Sequence, residues 1–342
     1  MNLGQWFGFV CLILSLSVLW QIRGLLLLVF TAVVLATALN RLVKWLQRKG
    51  LPRKFALFCT ISSVIIFLAL FIWLVIPPFS QQFQKLVEQL PRVFTRVNLQ
   101  LNLLEAKVPD YFPDFPTIEE LSDQLPSLQK LLSGFFDVFS DSLTVLLQLF
   151  LIIVLTIMML LSPQRYRKTF LILFPSFYRK RADDILSKSE AALGNWLRGI
   201  SINCLFIGIS SGIGLALLQV KLVLVHALIA GVLNFIPNIG PATSVIFPLS
   251  IAILEEPWKI IGVLVWYFII QNIETYWLAP AVMARQVSLL PAVTLIAQIF
   301  FARTFGVMGL ILALPLTVVS KTWLEEAIFK DILDVWESKR NN

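Results

Sequence analysis

The chain has 342 residues, of which 58% are apolar and only 14% charged, and its net charge is +8. Soluble domains carry about 25% charged residues, so this balance excludes an ordinary soluble protein and makes lipid the solvent for most of the chain. The bases flank apolar blocks, which is the signature of membrane orientation rather than of nucleic-acid binding, and Cys11, Cys59 and Cys204 all lie inside apolar blocks, implying neither a disulfide nor a metal framework.

A helix needs roughly 20 apolar residues to cross the hydrocarbon. In chain order the candidate spans are 6–22, 24–40, 55–76, 142–161, 198–218, a long block 222–254, then 259–279 and 291–320. The predicted fold class is therefore an all-α polytopic membrane protein of about eight transmembrane segments, two of them broken or re-entrant. No Lys or Arg precedes the first block and a second span follows at once, so it reads as a retained span and not a signal peptide. Residues 1–76 carry the first three spans. The connection from Arg41 through Lys44, Arg48, Lys49 and Arg53 to Lys54 has six bases and no acid, and 162–198 holds eight bases against three acids. The positive-inside rule makes both cytoplasmic, which puts both termini in the cytoplasm and 77–141, with five bases and nine acids, outside.

In that external segment Phe79, Phe83, Leu86, Leu90, Val93, Val97, Leu101 and Leu104 recur at helical spacing, with Pro91 as a kink. The prolines from Pro109 to Pro116 interrupt the helix, and Thr117 with Glu120 makes a capping box for a second one. An external helical hairpin over 77–141 is expected. Span 142–161 then leads to the basic connection 162–197, the region of broken helices 198–320 and a cytoplasmic tail 321–342. Trp20, Trp45, Trp196, Trp258 and Trp323 sit near span ends as an interfacial belt.

Backbone groups must be paired in lipid, so Pro and Gly inside apolar blocks imply surrounding protein or a water-filled cavity. Block 222–254 is broken at Asn234-Phe235-Ile236-Pro237-Asn238-Ile239-Gly240-Pro241, with Pro248 two turns later, and block 291–320 carries Arg303, Gly306, Gly309 and Pro315. Discontinuous helices hold solutes and ions in many secondary transporters, because half-helix ends offer free donors and acceptors. A packing kink is the plain alternative at either break. Between the breaks, Gln271, Asn272 and Glu274 lie on an otherwise apolar span ending at Pro280. A carboxylate there must face the protein interior and find a partner. Arg303 is a candidate partner or a solute-facing cation, with snorkelling to an interface as the alternative. The candidate solute or ion pathway thus comprises Asn234, Pro237, Asn238, Gly240, Pro241, Gln271, Asn272, Glu274, Arg303 and Gly306.

His226, the single histidine, suits proton relay by its chemistry, although a lone histidine near a helix end is more often simply hydrogen-bonded. Asn203 and Asn234 read as helix glue or as ligand groups, and Gly208, Gly212 and Gly214 permit close helix approach. The sequence has no P-loop, HExxH or Gly-x-Ser-x-Gly elbow and no paired Cys/His ligands, so neither an enzyme nor direct ATP drive is expected, and no cofactor or metal is implied.

The run Phe235 to Pro241, Gln271-x2-Glu274 with Pro280, Leu290-Pro291 and the Phe305-Gly306-x2-Gly309-x5-Pro315-Leu316 tail resemble the autoinducer-2 exporter (AI-2E) family of bacterial membrane transporters. The likeness spans essentially the whole chain and includes Trp196-Leu197-Arg198-Gly199. The resemblance implies eight spans in the bacterial plasma membrane, cytoplasmic termini, a homo-oligomer, and transport of the quorum-sensing furanone autoinducer-2, with sodium/proton antiport described for other members. The chain departs from the family pattern at Asn238, where an aromatic is usual, at Asn234, where many members carry Glu, at Ile200, where Gln often follows Arg-Gly, and at Arg303, where Gly is common. One buried carboxylate fewer argues against antiport, and Arg303 favours an anionic or polyhydroxylated cargo.

Each broken block either crosses once or enters and leaves on one side. Hairpins place Glu255 and Glu256 outside and Arg285 inside, which suits the charge bias better. The expected function is a secondary transporter or facilitator exporting a small polar solute of the autoinducer-2 type, with the lipid bilayer and a proton or sodium coupling ion as partners and no nucleic acid. A cation/proton antiporter and a non-transporting scaffold acting through the external hairpin are the alternatives.

Overall fold

The computed structural model describes residues 3–74, 77, 81, 142–278 and 290–333. The expected external hairpin, Pro280 and Arg285 lie outside the described residues, apart from positions 77 and 81. Every regular element among the described residues is helical: α1 Leu3–Gln21, α2 Arg23–Arg48, α3 Arg53–Leu74, α4 Ser142–Leu161, α5 Pro163–Ile172, α6 Arg179–Leu217, α7 Val223–Leu233, α8 Ile239–Ser244, α9 Ile246–Glu255, α10 Pro257–Ile273 and α11 Pro291–Trp323. The chain is an all-α polytopic membrane protein. Four helices among the described residues are long and apolar enough to cross a bilayer, five if the bent pair α4–α5 counts as one span. The chain divides into two compact units, Met1–Val64 with Leu147–Gly199 and Val282–Asn342, and Ile65–Leu146 with Ile200–Ala281.

In the first unit, α2, α3 and α4 meet around Val43, Ala56, Leu57 and Leu160. Pro163 at the first helical position of α5 fixes a turn of 95° after α4, since proline starts a helix well but cannot continue one. The basic stretch after it is helical rather than extended. Ala182, Ile185, Ser189, Leu193, Trp196 and Ile200 are buried at steps of three and four, so 179–197 is the amphipathic first half of α6. Gly194 is held small by the Arg41 guanidinium, whose Nη2 donates to Asn195 Oδ1 at 3.3 Å. Past α11 the chain widens into a π-helix, Leu324–Leu333, whose acids meet the start of α6. Arg181 reaches Glu326 at 3.1 Å and Asp331 at 2.8 Å, Lys188 reaches Glu326 at 2.6 Å, and Tyr178 donates to Asp331 at 2.9 Å. Lys188 and Lys330 hold the Glu326 carboxyl down at about 2, and the Arg181 hydrogen bond depresses Asp331.

In the second unit, α6 runs antiparallel to both α7 and α10. Gly208 and Gly212 lie against Ala227, and Gly231 lies against the Cys204 carbonyl. Trp266 Nε1 donates to the Ser210 carbonyl at 3.0 Å, and its indole covers Gly214. The opposite face of α6, formed by Ile202, Leu205, Ile209, Ile213 and Leu217, is exposed and apolar, as a lipid-facing stripe must be.

Block 222–254 returns to where it began. Lys221 pairs with Glu255 at 3.3 Å, and Lys259 bridges Glu255 at 2.7 Å and the Gln219 carbonyl at 2.9 Å. Both ends of the block therefore sit at the Gln219 end of α6. The path is that of a helical hairpin, α7 going in and α8–α9 coming back.

Candidate functional site

The hairpin turns at Asn234, which caps α7, and at Asn238, whose φ of 68° and ψ of −46° form a tight γ-turn closed by the Ile239 N–H donating to Pro237 O at 2.9 Å. Gly240 is required by contact: a Cβ there would sit 2.0 Å from the Leu233 carbonyl oxygen and 2.9 Å from Asn234 Cα. Its own N–H donates to Ile236 O at 2.7 Å. Pro241 follows in the first turn of α8, and its carbonyl accepts from Ser244 Oγ at 2.9 Å.

Glu274 ends the α-helical part of α10 and begins a π-helical turn, Glu274–Leu278, a local widening that often accompanies functional sites. It is 9% exposed. Its Oε2 accepts from Gln271 Nε2 at 2.9 Å, and its Oε1 accepts from Asn203 Nδ2. Asn272, next to Gln271, bonds its own helix at the Phe268 carbonyl, 2.7 Å, and takes no part in this cluster.

Helix phase brings Asn234 to the same place. Ile207 of α6, Ala230 of α7 and Ile270 of α10 form one buried cluster. Residues four apart share a helix face. One turn beyond that cluster the three helices present Asn203, Asn234 and Glu274, so these form a polar layer directly under an apolar one. Asn234 is 1% exposed, and neither its Oδ1 nor its Nδ2 has a partner; Asn203 Oδ1 is likewise buried and unpaired. Buried polar groups are nearly always satisfied, so three unpaired amide atoms in a layer with a carboxylate are an exception that calls for a partner. The fifteen residues from Lys259 to Glu274 span about 22 Å, which sets this layer toward the Arg198 end of α6.

Arg303 and Gly306 belong to the first unit, on α11. Gly306 has φ 65° and ψ −148°, a region open essentially to glycine alone, and it breaks α11 sharply. The Phe301 carbonyl comes to 2.1 Å from where a Cβ of Gly309 would be, eight residues along, so the two halves of α11 fold back on each other. Arg303 is exposed, while Gln298, one and a half turns earlier, is 1% exposed. Arg303 is the partner that charge alone suggests for Glu274; the hydrogen-bonding partners of Glu274 in the second unit are Asn203 and Gln271. Asn203, which the sequence offers as helix glue or a ligand group, meets Glu274 across 71 positions.

A helical membrane protein whose packed core keeps a carboxylate and unpaired amides beside a broken helix is built as a solute transporter. Comparison with known proteins agrees: the AI-2E family transporter profile matches residues 9–329, and the chain belongs to this family. It is 26% identical to YrrI of Bacillus subtilis over 338 residues, covering 92% of this chain and 94% of that protein. It is 30% identical to sll0063 of Synechocystis over 318 residues, covering 89% and 78%. Both relatives are named for transport without a stated solute. The AI-2 transport protein TqsA of Escherichia coli is 24% identical over 301 residues, covering 86% and 84%.

Proposed function

We propose that the protein exports a small, polar, hydroxyl-rich solute of the autoinducer-2 type, with Asn203, Asn234 and Glu274 as its binding layer. The observation that carries this reading is the set of unpaired amide atoms at the Asn234 break, beside a carboxylate already held by Asn203 and Gln271. Amides offer a donor and an acceptor each, a combination matched to hydroxyl groups. The name of TqsA lends support for this solute class. Arg303 and Gly306 serve the pathway from the other broken helix, and a homo-oligomer with cytoplasmic termini, Glu255 outside and Arg285 inside is the assembly that fits the charge bias.

The test is flux of labelled autoinducer-2 into proteoliposomes, with and without imposed proton or sodium gradients, for the native chain and Glu274→Gln. Solute flux that falls in the variant supports the reading. Absence of solute flux with rapid sodium/proton exchange in the native protein replaces it with antiport. Deleting 79–140 without loss of flux removes the scaffold alternative, and labelling of an Arg285→Cys variant from outside overturns the hairpin orientation.

A further inference from the structure

His226 is 3% exposed, and neither ring nitrogen has a hydrogen-bond partner. It lies one turn from Ala230 on α7, on the side of the Ile207–Ala230–Ile270 cluster opposite to Asn234. At the same step from that cluster, α6 presents Ser211, which is 0% exposed, and α10 presents Tyr267, whose hydroxyl is buried. The Ser211 hydroxyl is the polar neighbour of the Tyr267 hydroxyl, the two falling short of a formed hydrogen bond. A turn further on, the seam is apolar again at Leu215 and Val263, and beyond these it ends in the Gln219–Lys259–Glu255 network. The seam between the three helices thus alternates polar and apolar layers, one turn or about 6 Å apart.

From this alternation we infer that Ser211, His226 and Tyr267 form a second polar station, a hydrated proton-transfer site between the Lys259–Glu255 network and Glu274. The inference rests on the transport reading only in its consequence, coupling; the station itself stands on helix phase and burial. Its chemistry is balanced: one imidazole nitrogen accepts a proton from a hydrated proton on the Lys259 side, leaving water, while the other releases its own to water on the Glu274 side, and exchange of tautomers resets the ring. Water is the bridging species because hydroxyls and an imidazole supply the two to four partners a buried water needs. Helix phase from the Ile207–Ala230–Ile270 cluster makes Tyr267 the titratable group that α10 brings to the level of the histidine. The adjoining Val225 and Ile229 pack on Phe71 and Phe247, so α3 and α9 bring apolar groups to that cluster. A single-histidine chain also makes the site directly observable.

Two measurements decide it. In proteoliposomes, His226→Gln and Tyr267→Phe are compared with the native chain for proton flux, read by an internal pH dye, and for labelled autoinducer-2 counterflow at equal pH on both sides. Proton flux is expected to fall at least about tenfold, as loss of a positioned proton carrier does, with counterflow retained. In parallel, solid-state NMR of the tag-free, ¹⁵N-histidine-labelled native protein in liposomes is expected to show ring nitrogens in contact with water and both tautomers populated. Unchanged proton flux in both variants, or a dry ring fixed in one tautomer, overturns the inference. Loss of counterflow in the native protein overturns the transport reading instead, while the NMR result still decides the station.

Discussion

Gly240→Ala tests the fold-back that creates the proposed binding layer. The new Cβ would stand 2.0 Å from the Leu233 oxygen and 2.5 Å from its carbon. Carbon–oxygen contacts relax at about 3.3 Å, so the backbones of α7 and α8 must part by roughly 1.3 Å, and no side-chain rotation relieves a clash between backbone atoms. Overpacking of this kind costs about 1–3 kcal/mol, and it also strains the Gly240 N–H bond to Ile236 O. The variant should lose several degrees of apparent melting temperature in detergent and, because Asn234 moves with Leu233, most solute flux in proteoliposomes. The matched control is Gly24→Ala at the start of α2, where nothing lies within 4 Å and alanine should be neutral or stabilise by about 0.5–1 kcal/mol. A Gly240→Ala protein as stable and active as the native one would refute the turn geometry and, with it, the position assigned to Asn234.

Gly306→Ala should cost about 1–3 kcal/mol through backbone strain alone, measurable as a lower melting temperature, since its φ of 65° with ψ −148° excludes a side chain. Glu255→Ala leaves Lys259, 8% exposed, with the Gln219 carbonyl as its partner and should cost about 3–5 kcal/mol, whereas Glu325→Ala, which breaks the more exposed Lys321 pair, should fall within about 0.5 kcal/mol. Glu326 has its carboxyl depressed in the folded state to about 2 by Lys188 and Lys330, so its contribution is complete above the ordinary value of about 4.5 and lost as pH falls through 2. The melting-temperature gap between Glu326→Gln and the native protein should therefore be full at pH 7, narrow below pH 4.5 and close near pH 2; a gap unchanged across that range would contradict the ion-pair geometry.

The helical class, the break at Asn234–Pro241 and the need of Glu274 for a buried partner were all legible in the sequence, because each follows from the intolerance of lipid for unpaired polar groups. The identity of that partner was not. Asn203 lies 71 positions away, and a single-helix reading has no means of phasing α6 against α10. The signal was present as a repeat: Asn203, Ile207, Ser211 and Leu215 alternate polar and apolar on one face, and Glu274, Ile270, Tyr267 and Val263 mirror them. Charge concealed another element, since the eight bases of 162–198 mark orientation while the buried spacing from Ala182 to Ile200 makes 179–197 the first half of a long helix.

The two breaks use one device. In each, a residue with positive φ, Asn238 or Gly306, is followed within three positions by a glycine, Gly240 or Gly309, that receives a carbonyl from the incoming helix, Leu233 or Phe301. Such a turn sets the start of the next helix directly against the end of the incoming one, with no room for a side chain between them. The depth reached by the polar layer is then fixed by the length of the incoming helix. With α7 at 11 residues, or about 17 Å, Asn234 is carried to the level of Asn203 and Glu274 and no further. Four residues added to α7 would move Asn234 about 6 Å past its partners and bring an apolar residue beside Glu274. A transporter so altered should stay folded, since the apolar seam is continuous, but lose its solute; retained flux would mean that the layer is not the site.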